Sequence, residues 1–152
     1  MKSPEAPLLV EPFLYRRPVR FEDCDPAAIV FFPRFFNFCL EALEGFFAPL
    51  DGGLPRLVLE RRIGLSTVKI DAEFVSPLRF GDTMELAVTA ERIGTKSFTL
   101  LHHITGILAG EHVASVRQTC VTTALDPHGA IAIPEDLRAV LRAHAVGAAV
   151  YF

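Results

Sequence analysis

The chain has 152 residues with a formal net charge of −3, and 51% of its residues are hydrophobic while 22% are charged. This length and composition fit one globular domain over residues 1–152, large enough to bury a core. A mildly acidic balance argues against a nucleic-acid or anionic-membrane partner, and the apolar runs are too short to cross a bilayer.

The number and spacing of the cysteines indicate the cellular compartment. Cys24, Cys39 and Cys120 are odd in number and widely spaced, which indicates neither a disulfide framework nor a C-x-x-C metal site. The first 18 residues contain early acids and prolines and lack the apolar segment of a signal peptide. We therefore expect a cytoplasmic protein with free thiols and no metal.

The first half of the chain predicts one strand and one buried helix. Residues 1–12 read as a loose arm, and residues 13–21 as a strand with Pro18 at an edge position. Residues 33–47 have apolar side chains on almost every face, which is typical of a helix buried all round. Residues 48–57 are rich in Gly and Pro and predict a loop.

The second half predicts the sheet that encloses this helix. Residues 66–77 alternate, with Val68, Ile70, Ala72 and Phe74 on the expected buried face. Strands over 83–93, 94–108 and 109–125 follow, and then a short helix over 134–145. The order predicts an α+β fold in which a curved five-stranded antiparallel sheet wraps the long helix. Exposed sheet edges favour an oligomer.

The acidic segment FEDCDPAAIVFFP, residues 21–33, stands directly before the apolar helix. Four interpretations fit it: a solvated turn that complements the helix dipole, an oxygen-ligand metal site, a Cys24 nucleophile, and a catalytic carboxylate. The flanking acids count against the thiol, because they raise its pKa. No His lies nearby in the sequence, which counts against the metal.

The carboxylate interpretation has a chemical rationale. Amide groups at the helix N-terminus, from about Phe32 onward, would polarise a substrate carbonyl and stabilise its oxyanion. Asp25 could attack that carbonyl or activate a water. The Phe-rich helix, including Phe35, would supply an apolar pocket; judged from the helix alone, such a pocket favours unadorned aryl or medium-chain acyl groups.

The segment FEDCDPAAIVFFPRFFNF closely resembles the D-C-D-P-A-G-I-V signature of the 4-hydroxybenzoyl-CoA thioesterase family, which has the hotdog fold. The likeness extends over roughly residues 13–125 and includes F-G-D at 80–82 and K-S-F at 96–98. It implies an acyl- or aroyl-coenzyme A thioesterase with no cofactor, because coenzyme A is part of the substrate. It also implies a homodimer that assembles into a homotetramer.

The resemblance also implies roles for individual residues. It places the catalytic carboxylate on Asp25, the carbonyl-polarising amide on Phe32 and a structural acid on Asp23. Ala28 departs from the family's usual Gly, and Ala adds strain or bulk there if the position needs positive φ or close approach of the substrate. Some relatives carry a reactive-centre Thr at the position of Leu65, so its neighbour Ser66 is a substrate-binding candidate without an assigned role.

The phosphates of coenzyme A need local basic or polar groups. Arg92, Lys96 and Ser97 resemble the family's nucleotide-binding edge, and a partner chain could supply them; Arg61 and Arg62 are a second candidate pair.

Two alternative functions remain open: an acyl-CoA sensor without catalysis, and a hotdog dehydratase, which would need a His as its base. His102 and His103 are adjacent in a strand and should face opposite sides.

Overall fold

A computed structural model of the chain describes residues 11–151. These residues form three α-helices and seven strands, in the order β1 (Phe13–Pro18), α1 (Arg34–Phe46), α2 (Gly53–Leu59), β2 (Ile63–Phe74), β3 (Thr83–Ile93), β4 (Ser97–Gly106), β5 (Glu111–Leu125), β6 (His128–Ala130), α3 (Glu135–Ala143) and β7 (Ala145–Tyr151). A 3₁₀ turn, Phe21–Asp23, follows β1. Most of the predicted N-terminal arm, residues 1–10, lies outside the described residues.

The sheet has the strand order β1-β3-β4-β5-β2, and each of these neighbours pairs antiparallel. These are the five predicted strands. Two further strands were not predicted: β6 pairs with β5, and β7 pairs in parallel with β3. β1 and β2 lie at the two ends of the five-strand order, so Pro18 does sit on an edge strand as expected.

Helix α1 packs on one face of this sheet, which we call the inner face. Its side chains Phe38, Ala42 and Phe46 are fully buried, with the inner-face residues of β3, β4 and β5. The prediction of burial all round was wrong, because Leu40 is 59% exposed and Phe36 is half-buried. Phe36 and Leu40 border a groove between α1 and β2 that the described residues leave open.

The predicted buried face of β2 was wrong at Val68, whereas Ile70, Ala72 and Phe74 do pair with inner-face residues of β5 but stay exposed. The register shifts between Thr67 and Lys69, which marks a β-bulge at Val68. Thr67 pairs with the inner-face residue Cys120 and Ile70 with the inner-face residue Gln118, so the bulge turns Val68 outward, where it is 61% exposed. As the end strand, β2 is also largely uncovered by α1.

The predicted loop over 48–57 contains the start of α2. Gly52 and Gly53 adopt positive φ and form the turn that starts the helix, and Pro55 falls in its first turn, where its missing N–H is tolerated. Buried Leu57 anchors α2 to the core. The C-terminal helix was predicted correctly. No helix in the described range is both long and apolar enough to cross a bilayer.

Candidate active site

The acidic segment folds into a small hairpin against the connection between β2 and β3. Cys24 and Val30 form an antiparallel bridge, and the amide of Asp25 donates to the carbonyl of Ile29 at 2.9 Å. The amide of Phe80 donates to the carbonyl of Ala28 at 2.9 Å, which fixes the hairpin to the neighbouring connection. Backbone hydrogen bonds therefore hold this turn in a defined conformation.

Asp25 is the accessible acid of this hairpin. It is half-buried and lines a cleft of about 400 Å³ with Phe21, Cys24, Ala28 and Phe80. Its Oδ1 accepts a hydrogen bond from the amide of Ala27 at 2.8 Å, which orients the carboxylate. Within residues 11–151, no group donates to Oδ2. One oxygen is held and the other is available for chemistry.

Asp23 has the opposite environment. Its side chain is 1% exposed and accepts hydrogen bonds from Arg17 at 2.7 and 3.3 Å and from the amide of Arg20 at 2.8 Å. Its carbonyl accepts from the amide of Phe31 at 2.9 Å. As expected, this acid holds the turn together and does not face the cleft.

Ala28 has φ = +61°, a left-handed conformation that L-residues with a side chain rarely adopt. This is the position where the resembling signature has Gly, so the departure has the physical cost that the sequence suggested. The side chain of Ala28 also lines the cleft of Asp25, which narrows it.

The start of α1 leaves one amide unused. The amides of Arg34, Phe35 and Phe36 donate to the carbonyls of Phe31, Phe32 and Pro33, at 2.9, 3.2 and 3.1 Å. Pro33 has no N–H, and no acceptor within the described residues receives the N–H of Phe32. That amide is therefore available to a substrate oxygen.

Phe32 and Phe35 line a second cleft of about 300 Å³ together with Phe74. The structure does not place Asp25 and Phe32 in one cavity of the single chain; their clefts neighbour each other along the segments 28–32 and 74–80. The ring of Phe35 is buried and lies 5.4 Å from the ring of Phe74. Phe35 thus forms part of the apolar wall.

The remaining predicted binding residues lie elsewhere. Ser66 pairs with Val121, on the sheet face opposite α1, and its hydroxyl is 3.0 Å from that of Thr123. Arg92, Lys96 and Ser97 lie around the β3–β4 connection, at the far end of β3 from the hairpin. Eleven residues of strand span about 30 Å. Their coenzyme A role stays a prediction.

The second basic candidates are engaged with acids. Arg61 donates to Asp136 at 2.6 and 3.2 Å, and Arg62 donates to Asp126 at 2.8 Å. Both ion pairs are partly exposed. These contacts give the two arginines a local role in joining loops and α3 to the start of β2.

The electrostatics of the hairpin disfavour Cys24 as a nucleophile. Burial, together with the neighbouring charges of Asp23 and Asp25, raises the pKa of this thiol. It is therefore protonated near neutral pH, as the sequence indicated.

The sequence did not predict two hydrogen-bonded clusters of polar side chains. The first joins Arg17 to Asp23 and to Glu41 of α1, and the second runs along His102, Gln118 and Thr67 on the inner face. The adjacent histidines do face opposite sides, since His102 is buried and His103 is exposed and stacks on His112. Only strand register brings the second group together, so no local motif could reveal it.

Comparison with known proteins shows what the chain is similar to. The model of the thioesterase-like superfamily matches residues 19–141. The 1,4-dihydroxy-2-naphthoyl-CoA hydrolase of Thermosynechococcus vestitus is 27% identical over 128 residues, which is 84% of this chain and 87% of that protein. The 4-hydroxybenzoyl-CoA thioesterase of Pseudomonas sp. strain CBS-3 is 31% identical over 102 residues, 64% of this chain and 71% of that protein.

A solved gentisyl-coenzyme A thioesterase is 28% identical and has a TM-score of 0.73, covering 84% of this chain and 98% of that one. The solved 4-hydroxybenzoyl-CoA thioesterase of Pseudomonas sp. strain CBS-3 gives a TM-score of 0.77 at 25% identity, covering 84% and 96% of the two chains. These likenesses confirm the hotdog fold implied by the signature. The family match spans most of the sequence, and the chain belongs to the thioesterase-like superfamily.

Proposed function

We propose that this protein hydrolyses the thioester bond of an acyl- or aroyl-coenzyme A, with Asp25 as nucleophile or general base and the Phe32 amide as oxyanion donor. One observation carries the proposal: of the two acids of the D-C-D-P motif, Asp23 is locked by Arg17 while Asp25 keeps an oxygen available in a cleft. The unused Phe32 amide lies close along the chain, at the start of α1.

The chemistry needs few groups. As general base, Asp25 takes a proton from water while the water oxygen forms a bond to the thioester carbon. As nucleophile, the carboxylate forms that bond itself, and water then cleaves the resulting anhydride. In both routes the amide of Phe32 stabilises the oxyanion, and the carbon–sulfur bond then breaks so that coenzyme A leaves as a thiolate. The thiolate takes a proton from protonated Asp25 in the general-base route or from solvent in the nucleophilic route, where water attacks the anhydride only after this departure.

The named activities of the relatives support the substrate class. They are enzymes named for 1,4-dihydroxy-2-naphthoyl-CoA and 4-hydroxybenzoyl-CoA, both aroyl thioesters. The phenylalanines that surround the Phe32 cleft suit an aromatic or apolar acyl group. No cofactor takes part in the proposed reaction, since coenzyme A enters as part of the substrate.

The proposal includes a homodimer that assembles into a homotetramer in the cytoplasm. The end strand β2 has an unpaired edge in the single chain and exposes Val68 on its outer face, which a second copy would cover. Lys96 lies beyond the far end of β3 from the hairpin, about 30 Å along the strand, which favours a site in which a partner chain supplies Lys96. The free cysteines of the described chain fit a reducing compartment.

The test is release of free thiol from benzoyl-, phenylacetyl- and straight-chain acyl-coenzyme A, followed by the variant Asp25→Asn on the best substrate. We expect the variant to lose activity by orders of magnitude, because a central catalytic group is removed while its shape is kept. Glu22→Gln is the matched control, since it neutralises an exposed acid three residues away. Activity of Asp25→Asn within about tenfold of wild type would contradict the assignment.

Binding of acyl-coenzyme A without any thiol release would instead favour the sensor. Release of water from a 3-hydroxyacyl-coenzyme A would favour the dehydratase.

A further inference from the structure

Three polar side chains cross the apolar inner face of the sheet. His102 of β4 has its Nε2 3.0 Å from Oε1 of Gln118 on β5, and Nε2 of Gln118 donates to Oγ1 of Thr67 on β2 at 2.9 Å. His102 is 0% exposed and Gln118 is 4% exposed. Burying polar groups among apolar side chains is costly, so this chain of hydrogen bonds calls for a physical explanation.

The orientation of the Gln118 amide, with Oε1 toward His102 and Nε2 toward Thr67, gives this chain of bonds a direction. The oxygen of a carboxamide can only accept, so the proton of the His102 ring lies on Nε2 and points at Gln118. Burial lowers the pKa of His102 to about 4, so the ring is neutral and its Nδ1 carries a lone pair. Nδ1 has no partner among the described residues, and an unpaired buried acceptor is tolerated better than an unpaired buried N–H.

This direction determines what Thr67 can offer. Its oxygen already accepts from Gln118, so its own proton is left to donate. The contact available to that proton in the described chain is Sγ of Cys120 at 3.7 Å, and sulfur is a weak acceptor. Thr67 therefore presents a hydroxyl donor backed by two buried groups.

The donor lies in the groove between α1 and β2. The groove has a volume of about 160 Å³, and Thr67 and Gln118 share its lining with Phe36, Leu40 and Ile70. Phe36 lies in the first turn of α1, four residues after Phe32, which is about 6 Å at the helical rise per residue and roughly the reach of one aromatic ring. A ring attached to a carbonyl at the Phe32 amide could therefore place its far substituent here.

We propose that this groove holds the acyl group and that Thr67 donates a hydrogen bond to an acceptor oxygen at its far end, such as a para carbonyl or phenol oxygen on an aroyl ring. The inference rests on the proposed function and names the acyl class within it. The helix residues alone predict an acyl group without polar substituents. The sheet side of the groove adds a hydrogen-bond donor, Thr67, which that expectation did not include.

The experiment compares two nearly isosteric substrates, 4-acetylbenzoyl-coenzyme A and 4-isopropylbenzoyl-coenzyme A, of which only the first has an acceptor. We expect wild type to prefer the acetyl compound in kcat/KM by about five- to tenfold, the effect of one neutral hydrogen bond. In Thr67→Val this ratio should fall close to one, and Thr67→Ser should restore it. Thr119→Val, the same change on the opposite face of β5, should leave the ratio intact.

The outcomes separate the two proposals. If turnover depends on Asp25 but the substrate ratio is the same in wild type and Thr67→Val, the acyl inference is wrong and the proposed function stands. A wild type without preference for the acetyl compound overturns the inference in the same way. If wild type releases no thiol from any acyl-coenzyme A tested, the proposed function fails and this inference fails with it.

Discussion

Arg17 holds the carboxylate of Asp23 with two hydrogen bonds, at 2.7 and 3.3 Å, inside the protein. The two side chains are 7% and 1% exposed. The guanidinium also contacts Glu41 of α1 at 3.1 Å and lies 4.6 Å from the ring centre of Phe38. One arginine thereby joins β1, the acidic hairpin and α1, the three elements that position Asp25 and the Phe32 amide.

Asp23→Asn should destabilise the protein by roughly 3 kcal/mol, because it leaves the buried charge of Arg17 with weaker compensation. The measurement is urea unfolding at neutral pH. Glu85→Gln is the control: it breaks the more exposed pair with Arg16, and such pairs contribute less than about 1 kcal/mol. Equal losses of unfolding free energy in the two variants would show that the buried ion pair stabilises the protein no more than the exposed one.

Lys96→Ala should raise KM for coenzyme A thioesters and leave kcat nearly unchanged, because phosphate contacts remote from the carbonyl bind ground state and transition state alike. Arg92→Ala should act in the same direction. Steady-state kinetics on a full substrate and on a truncated thioester without the nucleotide check this. An equal loss on both substrates would assign these residues another role.

The central strands were the most predictable part of the fold. The prediction for 83–93 coincides with β3, because a strand paired on both sides alternates between the core and the opposite face; the alternation is strict from Thr83 to Ala90 and ends at a register shift before Arg92. The end strand β2 broke the same rule, since its bulge puts both Thr67 and Ile70 on the inner face. A single extra residue in a strand depends on its neighbour's register, which a local pattern does not contain.

The candidate site also has a part that the sequence predicted and a part that it did not. The D-C-D-P segment singled out Asp25 and Asp23 as candidates because the motif is contiguous, and its departure at Ala28 coincided with a positive φ. The partners of these acids were not predictable: Arg17 is an ordinary arginine of an edge strand until the hairpin folds onto it. The groove donor Thr67 depends on contacts across three strands and gave no signal in the sequence.

His102 should make stability depend on pH. Its pKa in the folded protein is about 4, below the ordinary value of 6.5, so between these values the unfolded chain takes up a proton that the folded chain does not. The free energy of unfolding should therefore fall as the pH drops through this window, by about 2 kcal/mol between pH 7 and pH 5 from this residue.

Urea unfolding of His102→Gln at both pH values checks this, with the exposed His128→Gln as control. The first variant should lose the corresponding part of the pH dependence, and the control should keep it. NMR titration of the ring protons of wild type gives a direct second measurement. A His102 signal that titrates near pH 6.5 in the folded protein would refute the prediction.

Ala28→Gly should stabilise the protein, although replacing Ala by Gly usually does the reverse. The left-handed conformation of Ala28 costs roughly 1–2 kcal/mol for a residue with a side chain, and Gly removes that cost. Gly also gives the unfolded chain more freedom, which takes back about 0.4–1 kcal/mol. The balance is a gain of up to about 1.5 kcal/mol, measurable as a higher midpoint of urea unfolding. Ala27→Gly is the matched control, since this exposed neighbour is not among the positive-φ residues of the described chain and should only lose stability. If both variants are destabilised equally, Ala28 is not strained, and the hairpin accommodates its side chain in an ordinary conformation.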